Sequence, residues 1–97
     1  MTESEAIVAR IEESADEIRT RFGVSRLGVF GSRVRGDESR DSDLDVLVEF
    51  ACPTFRNYMG LKRYLEELSG VAVDLVSASA LKPLLKSYVM SEVRYVA

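Results

Sequence analysis

The chain has 97 residues and a formal net charge of −3, and 46% of its residues are hydrophobic and 30% charged. This length and composition predict a single soluble domain, residues 1–97, with a modest core. The acidic balance argues against direct nucleic-acid binding, which requires a basic surface to neutralise phosphates.

The amino-acid inventory excludes several kinds of chemistry. The sequence has no histidine and one cysteine, Cys52, which excludes histidine-based acid–base catalysis, histidine metal sites and an internal disulfide. Cys52 is expected to be a small buried apolar residue. The acidic N-terminus lacks the pattern of a signal peptide, and no apolar run approaches the ~20 residues of a membrane span. We therefore expect a cytoplasmic protein without membrane association.

The first part of the chain predicts a helix and a strand. Apolar residues recur at three- and four-residue steps over residues 3–22, which is typical of an amphipathic helix, and Gly23 is a stop signal. Residues 25–30 predict a short strand that ends at Gly31. A polar segment follows before the next apolar run begins.

The turn that follows the first strand is a candidate anion site. Gly28 and Gly31 allow the backbone to approach another group closely. Ser32 is expected to cap a helical turn through Val34, since serine favours the position before the first helical residue. The free amide groups at such a helix N-terminus would favour an anion. Residues 36–42 predict a polar loop.

A second strand and a second long helix are predicted next. Apolar and polar residues alternate over residues 43–50, which indicates a strand with one apolar face. A helix is expected from Pro53-Thr54 to about Leu68, with Gly70 closing it. Five residues form its apolar stripe: Phe55, Tyr58, Leu61, Leu65 and Leu68.

The remaining residues complete the predicted fold. Residues 71–76 predict a third strand, and residues 93–97 a short edge strand. Residues 78–90 predict a helix, in which Pro83 is tolerated only in the first turn. The segment between the first two strands is too short for a helical crossover, so these strands are expected to be antiparallel. The order α-β-β-α-β-α predicts an α/β (α+β) fold, a small mixed, largely antiparallel sheet flanked by helices.

Three aspartates form a second candidate site. Asp43 and Asp45 share one face of the second strand, about 6–7 Å apart along it. Two unit charges at that separation repel by about 2–3 kcal/mol in an effective dielectric of roughly 20, a cost that a divalent cation reverses. Asp74 interrupts a strand whose neighbours are apolar. Three carboxylates without a histidine or cysteine partner form an oxygen-donor set suited to Mg²⁺ or Mn²⁺.

These motifs carry a family resemblance. Gly31-Ser32, ten residues and then Asp43-Leu44-Asp45 resemble the signature of the DNA polymerase beta-like nucleotidyltransferase superfamily. The wider block, residues 31–50 followed by Val73-Asp74-Leu75-Val76, is similar to the minimal nucleotidyltransferases of prokaryotes. The resemblance implies the polymerase-beta-like fold. It also implies an antitoxin, paired with a HEPN-domain toxin, that transfers AMP from ATP to a tyrosine hydroxyl of that toxin.

The resemblance also assigns roles to individual residues. Gly31 and Ser32 would hold the β- and γ-phosphates of ATP, and Arg35, beside this turn, is expected to be an additional charge clamp. Three carboxylates would bind two metal ions and act as the catalytic residues: Asp43, Asp45 and Asp74. The cofactor implied is Mg²⁺ or Mn²⁺, the substrate is ATP, and the partner is a HEPN toxin in a hetero-oligomer.

Two alternative functions remain open at this point. The chain could be a non-catalytic binding antitoxin that neutralises the toxin by complex formation, or a nucleotidyltransferase for small molecules. The intact aspartates favour an enzyme, whereas the small size is compatible with a binding module. A neighbouring gene for a small helical protein with an arginine–histidine motif would favour the toxin pair.

Overall fold

The computed structural model describes residues 3–31 and 43–97. The helices and strands in chain order are α1 Glu3–Glu13, α2 Ala15–Phe22, β1 Val24–Phe30, β2 Leu44–Phe50, α3 Phe55–Ser69, β3 Val73–Ser77, a short 3₁₀ helix Ala78–Ala80, α4 Pro83–Glu92 and β4 Arg94–Tyr95.

The strands form one sheet in the order β3-β2-β1-β4. β1 is antiparallel to both β2 and β4, whereas β2 and β3 are parallel. The predicted mixed, largely antiparallel sheet, the antiparallel pairing of the first two strands and the short strand at the C-terminus are all confirmed. β3 begins at Val73 rather than at residue 71.

The core lies between one face of this sheet and helices α1, α2 and α3. The alternating residues Leu44, Val46 and Val48 of β2 are almost completely buried, as are Ile7, Ile11, Ile18, Leu61 and Leu65 of the helices. Because side chains alternate across a strand, the positions between the three β2 residues face the other side of the sheet. That second face carries Asp45.

The predicted single helix over residues 3–22 is divided at Ser14 into α1 and α2. The Ser14 amide lies 3.2 Å from the Arg10 carbonyl and 3.1 Å from that of Ile11, so the chain tightens locally toward a 3₁₀ turn. The apolar spacing continues across this point, which is why the sequence pattern did not show the break. Gly23 ends α2 with a left-handed conformation, φ 63°, as predicted.

Two side chains near the start of α3 differ from the predicted burial. Phe55 is 81% exposed, because the packing of this helix against the core starts one turn later, with Tyr58. Cys52 is also exposed, in the connection between β2 and α3, where its amide donates to the Gly23 carbonyl at 3.2 Å. The segment from Cys52 to Phe55, which contains both apolar and polar residues, therefore lies on the surface.

The last helix begins later than predicted. Residues 78–80 form the short 3₁₀ helix, and α4 starts at Pro83. Proline has no amide hydrogen and clashes with the preceding turn, so it is tolerated at the first helical position and not inside a helix. No helix in the described parts of the chain combines the length and hydropathy needed to cross a bilayer.

The C-terminal strand β4 packs closely on β1 at Gly28. A Cβ atom at Gly28 would lie 2.5 Å from Val93 Cγ2, so a side chain here would push the strand away. The Arg26 guanidinium lies 3.9 Å from the centre of the Tyr95 ring, which adds a cation–π contact across the same pair of strands. Gly28, three residues before Gly31, thus serves the packing of β4 on β1.

Candidate active site

Asp45 and Asp74 lie side by side on neighbouring strands. The parallel pairing of β2 with β3 sets Asp45 opposite Asp74, and the antiparallel pairing of β1 with β2 sets Phe30 opposite Asp45. Paired residues of adjacent strands project to the same face of a sheet, about 4.8 Å apart. The structure therefore brings together two aspartates separated by 28 residues of sequence.

Asp43 belongs to the same face at the same edge of the sheet. It is two residues before Asp45 and immediately precedes β2, so it follows the side-chain alternation of that strand. Asp43 and Asp74 are exposed, whereas Asp45 is half-buried. Their neighbours Leu44, Val73 and Leu75 are buried toward the helices, which places the carboxylates on the opposite face of the sheet.

Gly31 lies directly against the Asp45 carboxylate. Its backbone has φ 84°, a left-handed conformation, and it is buried at the end of β1. A Cβ atom added here would overlap Asp45 Oδ2 and would lie 3.1 Å from Asp45 Cγ. Position 31 thus requires glycine for two reasons: the left-handed backbone, and the Asp45 carboxylate that occupies the place of a side chain.

Helix α3 holds the outer edge of β3 on both sides of Asp74. The Val73 amide donates to Glu66 Oε2 at 3.0 Å, and the Tyr58 hydroxyl donates to the Leu75 carbonyl at 2.6 Å. The sequence pattern placed Tyr58 on the apolar stripe of the helix and gave Glu66 no role. The sequence did contain one indication of these contacts, because both residues carry polar groups on a helix whose apolar stripe faces the sheet. Their contacts fix the backbone that carries Asp74.

The three aspartates share a face without forming a closed metal cage. Within residues 3–31 and 43–97, no three histidine, cysteine, aspartate or glutamate side chains are grouped closely enough to hold a metal ion. The donor set still suits Mg²⁺, because carboxylate oxygen is its preferred protein ligand and Mg²⁺ commonly takes only one or two carboxylates plus substrate phosphates. The exposed side chains of Asp43 and Asp74 are free to turn toward such an ion.

The remaining predicted phosphate ligands, Ser32 and Arg35, lie outside the described residues, as do the helical turn after Gly31 and the loop over residues 36–42. Their roles stay predictions. Of the predicted phosphate site the structure describes Gly31, which lies against Asp45 at the end of the sheet where Asp45 pairs with Asp74.

Comparison with known proteins assigns this arrangement to a family. The model of the family described as nucleotidyltransferase domain matches residues 11–96, which includes the glycine-serine turn and all three aspartates. The chain belongs to the nucleotidyltransferase family. The resemblance stated from the sequence is thereby confirmed.

Two similar proteins narrow the relationship to the minimal nucleotidyltransferases. The protein adenylyltransferase MntA of Thermococcus cleftensis is 49% identical over 81 residues, which is 82% of this nucleotidyltransferase and 82% of the relative. A solved minimal nucleotidyltransferase superposes with a TM-score of 0.82 at 40% identity, covering 97% of this chain and 96% of the other.

A more distant structure shares the fold. It is the MNT antitoxin in complex with the tri-AMPylated HEPN toxin of Shewanella oneidensis, at 18% identity and a TM-score of 0.63. The superposition covers 89% of this nucleotidyltransferase and 68% of that chain. At this identity the likeness establishes a common architecture only.

Proposed function

We propose that this nucleotidyltransferase transfers AMP from ATP to a tyrosine hydroxyl of a HEPN-domain toxin and thereby acts as its antitoxin. The observation that carries the proposal is the pairing of Asp45 with Asp74 beside Gly31. The similarity to the MntA adenylyltransferase of Thermococcus cleftensis supports AMP as the transferred group and a protein as the acceptor.

Electrostatics require cations at this edge of the sheet. Three aspartates on one face would repel a triphosphate, so the nucleotide binds only if cations lie between the carboxylates and the phosphates. We propose that Asp43, Asp45 and Asp74 hold two Mg²⁺ ions together with the phosphates of ATP. When bound, these ions would lower the pKa of the attacking hydroxyl and neutralise the charge of the leaving pyrophosphate.

The protein itself contributes position and orientation. The acceptor oxygen attacks the α-phosphorus of ATP, the bond to the pyrophosphate oxygen breaks, and the hydroxyl proton leaves to solvent. Gly31 keeps the Asp45 carboxylate at a defined place, and α3 keeps Asp74 at its register. Ser32 and Arg35 would contact the phosphates that become pyrophosphate. Such preorganisation supplies most of the rate in phosphoryl and nucleotidyl transfer.

The proposal places the enzyme in the cytoplasm, where ATP and Mg²⁺ are both available. A decisive test uses a purified HEPN-domain protein, Mg²⁺ and ATP labelled either at the α- or at the γ-phosphate. We expect the HEPN protein to gain label from α-labelled ATP and none from γ-labelled ATP, and omission of Mg²⁺ to abolish the transfer. Detection is by gel autoradiography and by the mass of one AMP added per site.

The same assay separates the alternatives. Label from the γ-phosphate would indicate a kinase and would contradict the proposal. Inhibition of the toxin by the wild-type chain without any label would favour a binding antitoxin. Replacing the modified tyrosine of the HEPN protein by phenylalanine is the acceptor control, and it should remove the label while binding persists.

A further inference from the structure

Strand β3, which carries Asp74, lies at one edge of the sheet. In the strand order β3-β2-β1-β4 it has β2 on one side and, within residues 3–31 and 43–97, no strand on the other. The outward amide and carbonyl groups of an edge strand receive no partners from the sheet itself. Because the Asp74 side chain is exposed, its position depends on how firmly this backbone is held.

The hydrogen bonds at the start of β3 show which backbone groups face outward. The Leu44 amide of β2 donates to the Ala72 carbonyl at 2.9 Å. In a strand, the amide and carbonyl groups of one residue point to one side and those of the next residue point to the other. Ala72 and Asp74 therefore direct their backbone groups toward β2. Val73 and Leu75, on either side of Asp74, direct theirs outward.

Two side chains of α3 supply the partners that the sheet does not. Glu66 Oε2 accepts from the Val73 amide at 3.0 Å. The Tyr58 hydroxyl donates to the Leu75 carbonyl at 2.6 Å. A hydrogen bond to a carboxylate is stronger than one between neutral groups. Asp74 is therefore held between the hydrogen bonds to β2 on its inner side and helix α3 on its outer side.

The Glu66 contact also joins the end of α3 to the start of β3. Glu66 and Val73 are seven residues apart. Between them, Gly70 ends the helix in a left-handed conformation, with its amide 2.9 Å from the Glu66 carbonyl. The Ser69 hydroxyl lies 3.3 Å from the Val71 amide. Glu66 thus contacts this segment through both its carbonyl and its carboxylate, and removal of the carboxylate releases the start of the strand.

Resting on the proposed function, we propose that Glu66 and Tyr58 are positioning residues of the metal site. They act by holding the β3 backbone, which sets Asp74 beside Asp45. The distance between these two carboxylates decides how well they share an ion. Groups that orient a metal ligand typically contribute about 10–100-fold to metal affinity.

The first test removes each hydrogen bond singly, in Glu66→Ala and in Tyr58→Phe. Mn²⁺ binding in the presence of a non-hydrolysable ATP analogue is measured by calorimetry. Each variant should raise the Kd for Mn²⁺ about 10-fold and leave the Kd for the HEPN protein unchanged. In Glu66→Ala the Val73 amide should also exchange its hydrogen faster, which shows that the contact itself has been lost.

Two further variants separate hydrogen bonding from charge. Glu66→Gln keeps an oxygen that accepts from the Val73 amide, so it should raise the Kd for Mn²⁺ at most about threefold. Glu67→Ala removes the same charge from the next residue of α3, which is exposed, and should leave this Kd unchanged. A loss of affinity in Glu66→Gln or Glu67→Ala equal to that in Glu66→Ala would assign the effect to charge and overturn the inference.

A third control addresses the stability of α3. Thr54→Ala removes the hydrogen bond of 3.0 Å from the Asn57 amide to Thr54 Oγ1, at the opposite end of this helix. It should destabilise the helix and leave Mn²⁺ binding unchanged. Raising the Mg²⁺ concentration about tenfold should restore AMP transfer by Glu66→Ala, because mass action refills a weakened site.

The inference and the proposed function fail in different ways. Wild-type Mn²⁺ affinity in Glu66→Ala or in Tyr58→Phe overturns the inference for that residue and leaves the proposed function intact. A loss of affinity in Thr54→Ala equal to that in Glu66→Ala assigns the effect to helix stability and overturns the inference. A wild-type chain that binds no Mn²⁺ and transfers no AMP overturns both.

Discussion

Asp45→Asn is expected to lower AMP transfer to the HEPN protein by at least about 10²–10³-fold, the loss typical of removing one preorganised electrostatic contact. Asparagine keeps the shape of the side chain against Gly31, so the fold should be retained. The change removes the negative charge from the central member of the aspartate set, which lies between Asp43 along the strand and Asp74 across it. Transfer is measured with α-labelled ATP in single-turnover reactions.

A second readout links this loss to the metal and not to the partner. Mn²⁺ binding in the presence of a non-hydrolysable ATP analogue, followed by calorimetry, should weaken in Asp45→Asn, while the Kd for the HEPN protein should not change. Asp16→Asn is the control, since it makes the same chemical change on the exposed surface of α2. Wild-type transfer by Asp45→Asn would refute the assignment of this residue. Lost transfer with unchanged Mn²⁺ binding would refute its role as a metal ligand.

Gly31→Ala is expected to reduce both stability and transfer. A non-glycine residue at φ 84° costs about 1–2 kcal/mol of backbone strain. The new methyl group would also occupy the position of the Asp45 carboxylate and force that side chain to rotate away. Transfer should therefore fall about as far as in Asp45→Asn, by roughly 10²–10³-fold. Urea unfolding gives the first effect, and the labelled-ATP assay gives the second.

Gly70→Ala separates strain from the displacement of Asp45. Gly70 ends α3 with φ 74°, and a Cβ atom there would meet nothing within 4 Å. Gly70→Ala should lose about 1–2 kcal/mol of stability from strain alone and should retain transfer, whereas Gly31→Ala should lose at least as much stability and also lose transfer. Equal transfer by both variants would show that the contact between Gly31 and Asp45 has no part in the reaction.

Much of the architecture followed from periodicity. The two-residue alternation of β2 places Asp43 and Asp45 on one face because successive side chains of a strand point in opposite directions. Glycines at positions 23 and 70 marked the ends of helices, since both adopt a left-handed conformation that glycine tolerates without strain. The divided helix at Ser14 and the late start of α4 were not predicted at their correct places, because local backbone hydrogen bonds and Pro83 decide them.

The burial of individual side chains was harder to predict. Phe55 fits an apolar stripe in the sequence but is exposed, and Cys52 is exposed although its type is usually buried. Whether an apolar residue is covered depends on where its element meets the others. The same is true of Leu84. Its exposure follows from the position of α4, in which Val89 is the one buried residue.

The sequence by itself determined the kind of protein: three carboxylates, a glycine-serine turn and the spacing between them identify the family and the chemistry of the donors. Only the tertiary structure decided that Asp74 pairs with Asp45 and that Gly31 makes room for the Asp45 side chain. The physical reason is that the side of the sheet to which a side chain points depends only on its position in its own strand. Register and close contact depend on which strands pair, and that is settled by the packing of the whole chain.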